Sequence, residues 1–580
     1  MSAPPGPTDV CTENVLEKVP TTREQSPALS SSASVAPGQP VDLKPQGDVD
    51  VYAASFNPGW RFYLAFTSLL IITLMAALDA TSLSVAIPQI TQALHGTAIE
   101  GFWSGTSFLL TSTVFQPVFG SFSDIFGRKP MILLSLALFG VGAILAAVAK
   151  NTMTLILVGR SIQGIGGGGV LVLTEIVVTD LVPLRFRGNY FSIIGSMWAI
   201  GSVSGPLIGG AFSEKVSWRW VFWINLPFLA IGVPFILLFL TLTFRATSLA
   251  HKLRRVDWVG GFLFISSTTG FLIGLSWGGV MYSWTSWRTL VPLLLCAAGM
   301  VAFVIWEERF AADPLIRISV MKNRTAAVTY LGDFTQGLVL WANLYYMPLY
   351  FEVVKGQSAI LTGVDLFPTT FTVAPAAIIV GILIGKFGTY RWAIWVGWFL
   401  TTLGTGIRVL LDVETPTVSW IFINLVGGVG TGMLYPSLTF ALQAATSNKD
   451  QAYGVALFTF FRGAGQAIGV AVGGAIFENA IKTKIASHAS IASHAVEWSA
   501  DSSALVQVIK GMPSGAARAD VVQSYADALK VVWTVMTALS AVALVTSLFT
   551  NHFDLNRKLE TDQAFVHEQK VKDEETKVGR

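Results

Sequence analysis

The sequence predicts an all-helical membrane protein of fourteen spans, arranged as six, then two, then six. Three observations predict it. Fourteen apolar runs each approach the roughly 20 residues that a helix needs to cross a bilayer. The 580-residue chain is 52% hydrophobic and only 13% charged, against about 25% charged in an average soluble domain. Cations also crowd alternate loops: Arg128 and Lys129; Arg185 and Arg187; Arg245, Lys252, Arg254 and Arg255; Arg309, Arg317, Lys322 and Arg324; Lys386 and Arg391. The opposite short loops hold only Lys150, Lys215, Arg219, Arg288 and Lys355. This bias orients the chain with both termini in the cytoplasm, and an even number of spans requires the termini to share a side.

The runs fall near 61–87, 102–122, 130–149, 153–178, 189–212, 220–243, 256–277, 289–306, 325–352, 361–385, 391–411, 417–442, 453–481 and 528–550. The eighth is short, and Arg462 interrupts the thirteenth. The chain therefore divides into a cytoplasmic tail (1–59), a first six-helix half (60–243), a linker with two extra spans (244–324), a second half (325–550) and a second tail (551–580). The first 50 residues are rich in Pro, Ser and Thr and lack an apolar run, which reads as a disordered spacer and not as a signal peptide. Cys11 sits in that tail and Cys296 in a span, so no internal disulfide is expected. The sequon at Asn323 falls in a predicted cytoplasmic loop and should be unglycosylated. The two extra spans carry few polar groups beyond Ser266–Thr269, which suggests a peripheral position. The external loop at 482–527 reads either as a lid over the outer mouth or as a surface insertion.

Several function classes are disfavoured. An enzyme needs a nucleophile or a metal cluster, but the six His residues sit mostly in loops and tails without ligand spacing. No nucleotide-binding domain is evident, which argues against a primary pump. The run Gly164-Ile165-Gly166-Gly167-Gly168-Gly169 matches a dinucleotide-binding pattern, yet it lies inside an apolar span and follows no strand. Small residues there allow close helix contact instead. No metal, cofactor or nucleic-acid partner is expected.

After the second span the chain reads Gly120-Ser121-Phe122-Ser123-Asp124-Ile125-Phe126-Gly127-Arg128-Lys129-Pro130. The glycines permit a tight turn and close approach. Asp124 is able to face a positive helix end, and Arg128 to pair with Asp180 at the inner end of span four. Such a latch holds one conformation and releases in another. This segment resembles the signature loop of the major facilitator superfamily, whose fold is a bundle of two pseudo-symmetric six-helix halves.

Asp79 lies deep in span one and Arg160 at similar depth in span four. A carboxylate at such depth usually faces a cavity or a partner. Burial and a neighbouring cation act in opposite directions on a carboxylate, so a pair of this kind is suited to load and release a proton. A permanent structural ion pair is the alternative reading.

Span five carries Gly195, Gly201, Gly205-Pro206 and Gly209-Gly210, a density that bends a helix and lets a neighbour slide against it. This series resembles the antiporter motif of drug exporters in the same superfamily. Trp218 to Pro227 is similar to the start of span six in the fourteen-span drug:proton antiporter family. Tyr345 to Glu352, Lys355-Gly356, Gly363 to Pro368 and Asn551 to Leu555 look like its fungal branch of toxin and multidrug efflux, with Glu352 where that branch more usually shows Gln. In the second half, Asp333 and Asp365 either couple to protons or recognise cations. Arg462 is expected to anchor span thirteen to carbonyls or lipid phosphate, and Arg408 to snorkel outward.

The resemblance implies a proton-driven antiporter, acting as a monomer in the plasma membrane, that exports small hydrophobic drugs or fungal secondary metabolites. Asp79 and Arg160 would couple protons. Gly120, Asp124, Gly127, Arg128, Lys129, Asp180, Gly201, Gly205, Pro206, Gly209 and Gly210 would serve gating. Gln116, Gln163, Trp198, Asp333, Trp341, Asn343, Tyr345 and Tyr346 are the candidate cavity residues. A proton-coupled transporter of siderophores or basic amino acids is the alternative on the same fold, and an acidic cavity would favour it. The vacuolar membrane is the alternative location. A non-transporting sensor is disfavoured because the tails offer no structured domain.

Overall fold

The computed structural model describes residues 58–242, 248–278, 281–499 and 502–556. Both expected tails, Cys11 included, lie almost entirely outside those residues. The described chain is nearly all helical. The first half contains α1 (Trp60–Ala93), α2 (Ala98–Phe126), α3 (Arg128–Ala147), α4 (Thr154–Leu181), α5 (Arg187–Lys215) and α6 (Trp220–Phe239). Two further helices follow, α7 (Trp258–Trp277) and α8 (Trp287–Arg309). The second half contains α9 (Arg324–Leu349), α10 (Leu361–Phe387), α11 (Arg391–Ile407), α12 (Thr417–Ala445), α13 (Gln451–Ser487) and α14 (Ala516–Ser547).

Twelve of these helices combine membrane-spanning length with high apolarity. The other two, α2 and α9, have 29 and 26 residues but carry more polar side chains. They are long enough to span at 1.5 Å per residue, and both contribute to the central cavity described below. The fourteen-span fold expected from the sequence is thus present. Several ends differ from expectation. Helix α1 runs on to Ala93, α13 continues unbroken through Arg462, and α14 begins at Ala516.

Local chemistry sets the boundaries. Thr97 and Glu100 form a capping box at the start of α2. Gly127 turns the chain between α2 and α3 at φ 99°, a conformation that side-chain-bearing residues rarely adopt. Gly388 ends α10 in the left-handed region at φ 69°.

Glycines bring helices into contact inside the first half. Gly164 and Gly168 of α4 abut Phe108, Thr111 and Ser112 of α2, while Gly166 and Gly169 abut Ser135 and Phe139 of α3. Helix α4 is therefore held closely on two faces. Gly201, Gly205 and Gly209 of α5 lie against Ala77 to Ser82 of α1, and the Thr81 hydroxyl donates to the Gly201 carbonyl at 2.9 Å.

The halves meet along α2 with α13 and along α5 with α10. Gly120 meets Ala456, Gly463 meets Thr113, and Gly188 meets Phe440 of α12. Helix α7 reaches this seam through Phe264, whose ring packs at a tilt against Phe303 of α8 and Phe460 of α13. Helix α8 lies outside α7 with Leu294 and Leu295 exposed, so the two extra helices are peripheral. In the segment between α13 and α14, Leu505, Val506 and Ile509 are buried in a cluster with Tyr350 and Phe351 at the outer end of α9. None of the described residues of 482–527 lines the cavity. The segment packs on the second half where α9 ends.

Candidate functional site

A largely apolar cavity lies between the halves, walled by α1, α2, α4 and α5 on one side and by α9 to α13 on the other. Gln116, Trp198, Trp341 and Asn343 line it, as their sequence reading expects. On α9 the lining residues are Leu340, Trp341, Asn343, Leu344 and Met347, the spacing of one helical face. That periodicity corrects the expectation for two neighbours. Tyr345 is 41% exposed, and Tyr346 turns toward α13 with its hydroxyl 3.4 Å from the Val470 carbonyl. Neither lines the cavity.

Asp79 and Arg160 do meet. The guanidinium Nη1 donates to Asp79 Oδ2 at 2.5 Å, and both side chains are almost fully enclosed. Gln163 Nε2 and Asn225 Nδ2 donate to the other carboxylate oxygen at 2.7 and 2.8 Å. Arg160 also donates to the Ser104 carbonyl and the Gln163 side chain, and lies over the Phe108 ring. Helices α1, α4 and α6 thus meet at a single carboxylate, while α2 holds the arginine. Gln163 holds this network and does not line the cavity, which corrects its expected role. Asn225 went unremarked in the sequence, although it stands in the Trp218–Pro227 segment.

A second charged group joins the halves. Arg462 of α13 donates to Asp333 of α9 at 3.0 Å and lies 3.5 Å from Glu175 of α4. Phe458 and Tyr435 flank its guanidinium. Arg462 is therefore not a lipid or carbonyl anchor. Two carboxylates within reach outcompete those weaker acceptors. Asp333 is fully buried behind Arg462 and does not line the cavity, whereas Glu175 and Arg462 do. Glu175 escaped the sequence reading, although an acid in a span is itself a signal.

Arg408 also departs from expectation. It does not snorkel. Only 3% of it is exposed, it lines the cavity, and its Nε donates to Asn424 Oδ1 at 3.2 Å. Asp365, in the first turns of α10, does not line the cavity.

The inner ends of the helices are tied together. Arg128 pairs with Asp124 and Asp180, the latter at 2.9 Å, and Lys129 donates to the Leu237 carbonyl at 2.8 Å. Arg187 at the start of α5 donates to Gln443 and Gln451 across the seam at 3.0 and 3.2 Å. Arg185 donates to the Gly385 carbonyl, and Ser192 to the Ala377 carbonyl. These bonds close the end that the cation pattern assigns to the cytoplasm. Sequence reading counted Arg185 and Arg187 only as orienting charges.

A family model described as Major Facilitator Superfamily matches residues 69–265 and 254–470. The chain is 55% identical over 552 residues to MFS transporter L2 of Phoma sp., covering 95% of this chain and 91% of that protein. It is 35% identical over 541 residues to efflux pump FUS6 of Gibberella fujikuroi, covering 92% and 96%. Among solved structures, the proton:xylose symporter XylE superposes with a TM-score of 0.53 at 12% identity, covering 85% of this chain and 97% of that one.

Proposed function

The chain belongs to the major facilitator superfamily, and from that premise we propose that it exports small, largely apolar molecules from the cytoplasm in exchange for protons. The observation that carries the reading is the cavity between two helical halves, closed at its inner end by Arg185 and Arg187. A rocking motion that opened this end would close the other, the alternating access expected of such folds. The similarity to a fungal efflux pump supports the outward direction. The plasma membrane, with both termini inside, is the location that suits this task.

Asp79 is the proton site in this proposal. Protonation would release Arg160, Gln163 and Asn225 and loosen α1 from α4 and α6. Helix α1 packs closely on the glycine face of α5, so a change at Asp79 would reach the cavity wall. The Glu175–Arg462 contact spans the halves and would break as they rock, linking cavity contents to conformation. One proton moving down two pH units supplies about 2.7 kcal/mol. Membrane potential adds about 2.3 kcal/mol per 100 mV for each net charge moved.

Basic cargo fits less well. Glu175 is the single carboxylate among the described lining residues, and Arg462 and Arg408 oppose it. The test is retention of a panel of hydrophobic compounds in cells lacking their own exporters, with and without a protonophore. Reduced retention that the protonophore reverses supports the proposal. Unchanged retention of every compound, with the protein at the cell surface, sinks it.

A further inference from the structure

We propose that the cavity selects cargo carrying an ionised acidic group on an apolar body, and that Arg408 receives that group. This rests on the export reading above and narrows its substrate class to organic acids.

Arg408 directly follows α11 and is buried against the cavity beside Thr401, Thr405, Gly427 and Thr431. Its Nε is held by Asn424. Among the described residues its terminal nitrogens meet no hydrogen-bond acceptor, and no carboxylate lies within ion-pair distance. The contrast with its neighbours is chemical. Arg160 is neutralised by Asp79, and Arg462 by Asp333 and Glu175. Arg187, which forms no salt bridge among the described residues, directs its donors to the Thr179 and Val182 carbonyls and to two glutamines.

A lone cation at membrane depth is unfavourable unless it opens to a cavity or finds a partner. Arg408 has the cavity. Its fork offers parallel donors matched to a carboxylate or a similar delocalised anion. Two features keep that fork available. A Cβ at Gly427 would lie 3.3 Å from Nη2, so glycine leaves the space before the guanidinium clear. Asn424 holds the head with an amide oxygen, which orients it without cancelling its charge. Asn424 Nδ2 and Thr401 Oγ1 are themselves buried without partners among the described residues, placing further unmet polar groups beside the fork. Trp198, Trp341 and Phe108 line the same cavity and suit an apolar body.

The experiment is equilibrium binding to the purified full chain in detergent. Decanoate and 2-naphthoate are each compared with their methyl esters. At least one acid should bind wild type about tenfold more tightly than its ester, the scale of one charge-assisted hydrogen bond. Arg408→Gln should remove that preference while keeping ester affinity within about twofold. Arg408→Lys should retain part of it. Asn424→Asp, which gives the guanidinium an internal carboxylate, should remove it by a different route. No acid preferred over its ester by wild type, or a preference that survives Arg408→Gln and Asn424→Asp, overturns the proposal. Proton-driven transport is read separately in vesicles. An acid preference without such transport sinks the export reading alone, and transport without an acid preference sinks this inference alone.

Discussion

Arg160 of the first half and Arg408 of the second are both buried, the latter against the cavity, and they are treated in opposite ways. In the first half Arg160 is matched by Asp79, and Gln163, Asn225 and Ser104 satisfy what remains. In the second half the corresponding positions are amides. Asn343 lies as far from the start of α9 as Asp79 from the start of α1, and Asn424 sits at a depth in α12 close to that of Arg160 in α4. The cation there arrives directly after α11 as Arg408, and among the described residues its hydrogen-bond partner is Asn424. Among the described residues both halves leave buried polar atoms without partners, Gln116 Oε1, Thr174 Oγ1 and Asn225 Oδ1 in the first and Asn343 Oδ1, Thr401 Oγ1 and Asn424 Nδ2 in the second, so the difference lies in the arginines. One half holds a self-contained charge pair suited to a proton. The other leaves the terminal nitrogens of Arg408 to whatever enters the cavity.

The sharpest way to break this comparison is to truncate each arginine. Arg160→Ala strands a buried carboxylate and should destabilise by about 3–5 kcal/mol. Arg408→Ala strands no charge and should stay within about 1 kcal/mol. Thermal unfolding in detergent compares them, and equal losses would remove the distinction. Next in size is the α1–α5 contact. A side chain at Gly205 collides with Thr81, whereas Gly195 faces open space. Gly205→Val should cost about 1–3 kcal/mol and abolish transport, while Gly195→Ala should leave both nearly unchanged. Glu175→Gln should then slow transport about tenfold with little loss of fold, because Arg462 keeps Asp333. An unchanged rate would remove the cross-half contact from the cycle.

The smallest effect is at the outer rim. Asp412 is partly exposed. Desolvation opposes its charge, but Lys530, the Val413 amide and Gln523 outweigh that and hold its carboxyl below the ordinary value. A lowered folded value adds stability above the unfolded value near 4 that fades as pH falls through the folded one. Asp412→Asn should therefore lower the melting temperature slightly at pH 6 and flatten its fall toward pH 3.

Much of this was legible. The Asp79–Arg160 pair was suggested by similar depth along two helices, and the Arg128–Asp180 pair by their shared place at the inner helix ends. The glycine series on α4 and α5 announced close approach, and the helix order announced the fold. The seam between the halves was less legible. Glu175, Asp333 and Arg462 are far apart in sequence and their helices belong to different halves, so no local spacing joins them. The rule that flagged Asp79 would have flagged Glu175 had it been applied along α4. Arg408 was misjudged because distance from a helix end gives depth but not which side faces the cavity. Tyr345 and Tyr346 were misplaced for the same reason. Aromatic character marks a candidate, but only the register of α9 decides which residues point inward.

The most direct test of the central claim uses the purified protein in sealed vesicles carrying a pH-sensitive dye. A gradient of exported compound is imposed with no initial pH difference. Proton-coupled exchange predicts that wild type moves protons against the compound's flow, and that Asp79→Asn, folded and still binding the compound, moves none. Compound flux without proton movement in wild type, or proton movement that persists in Asp79→Asn, would contradict the account.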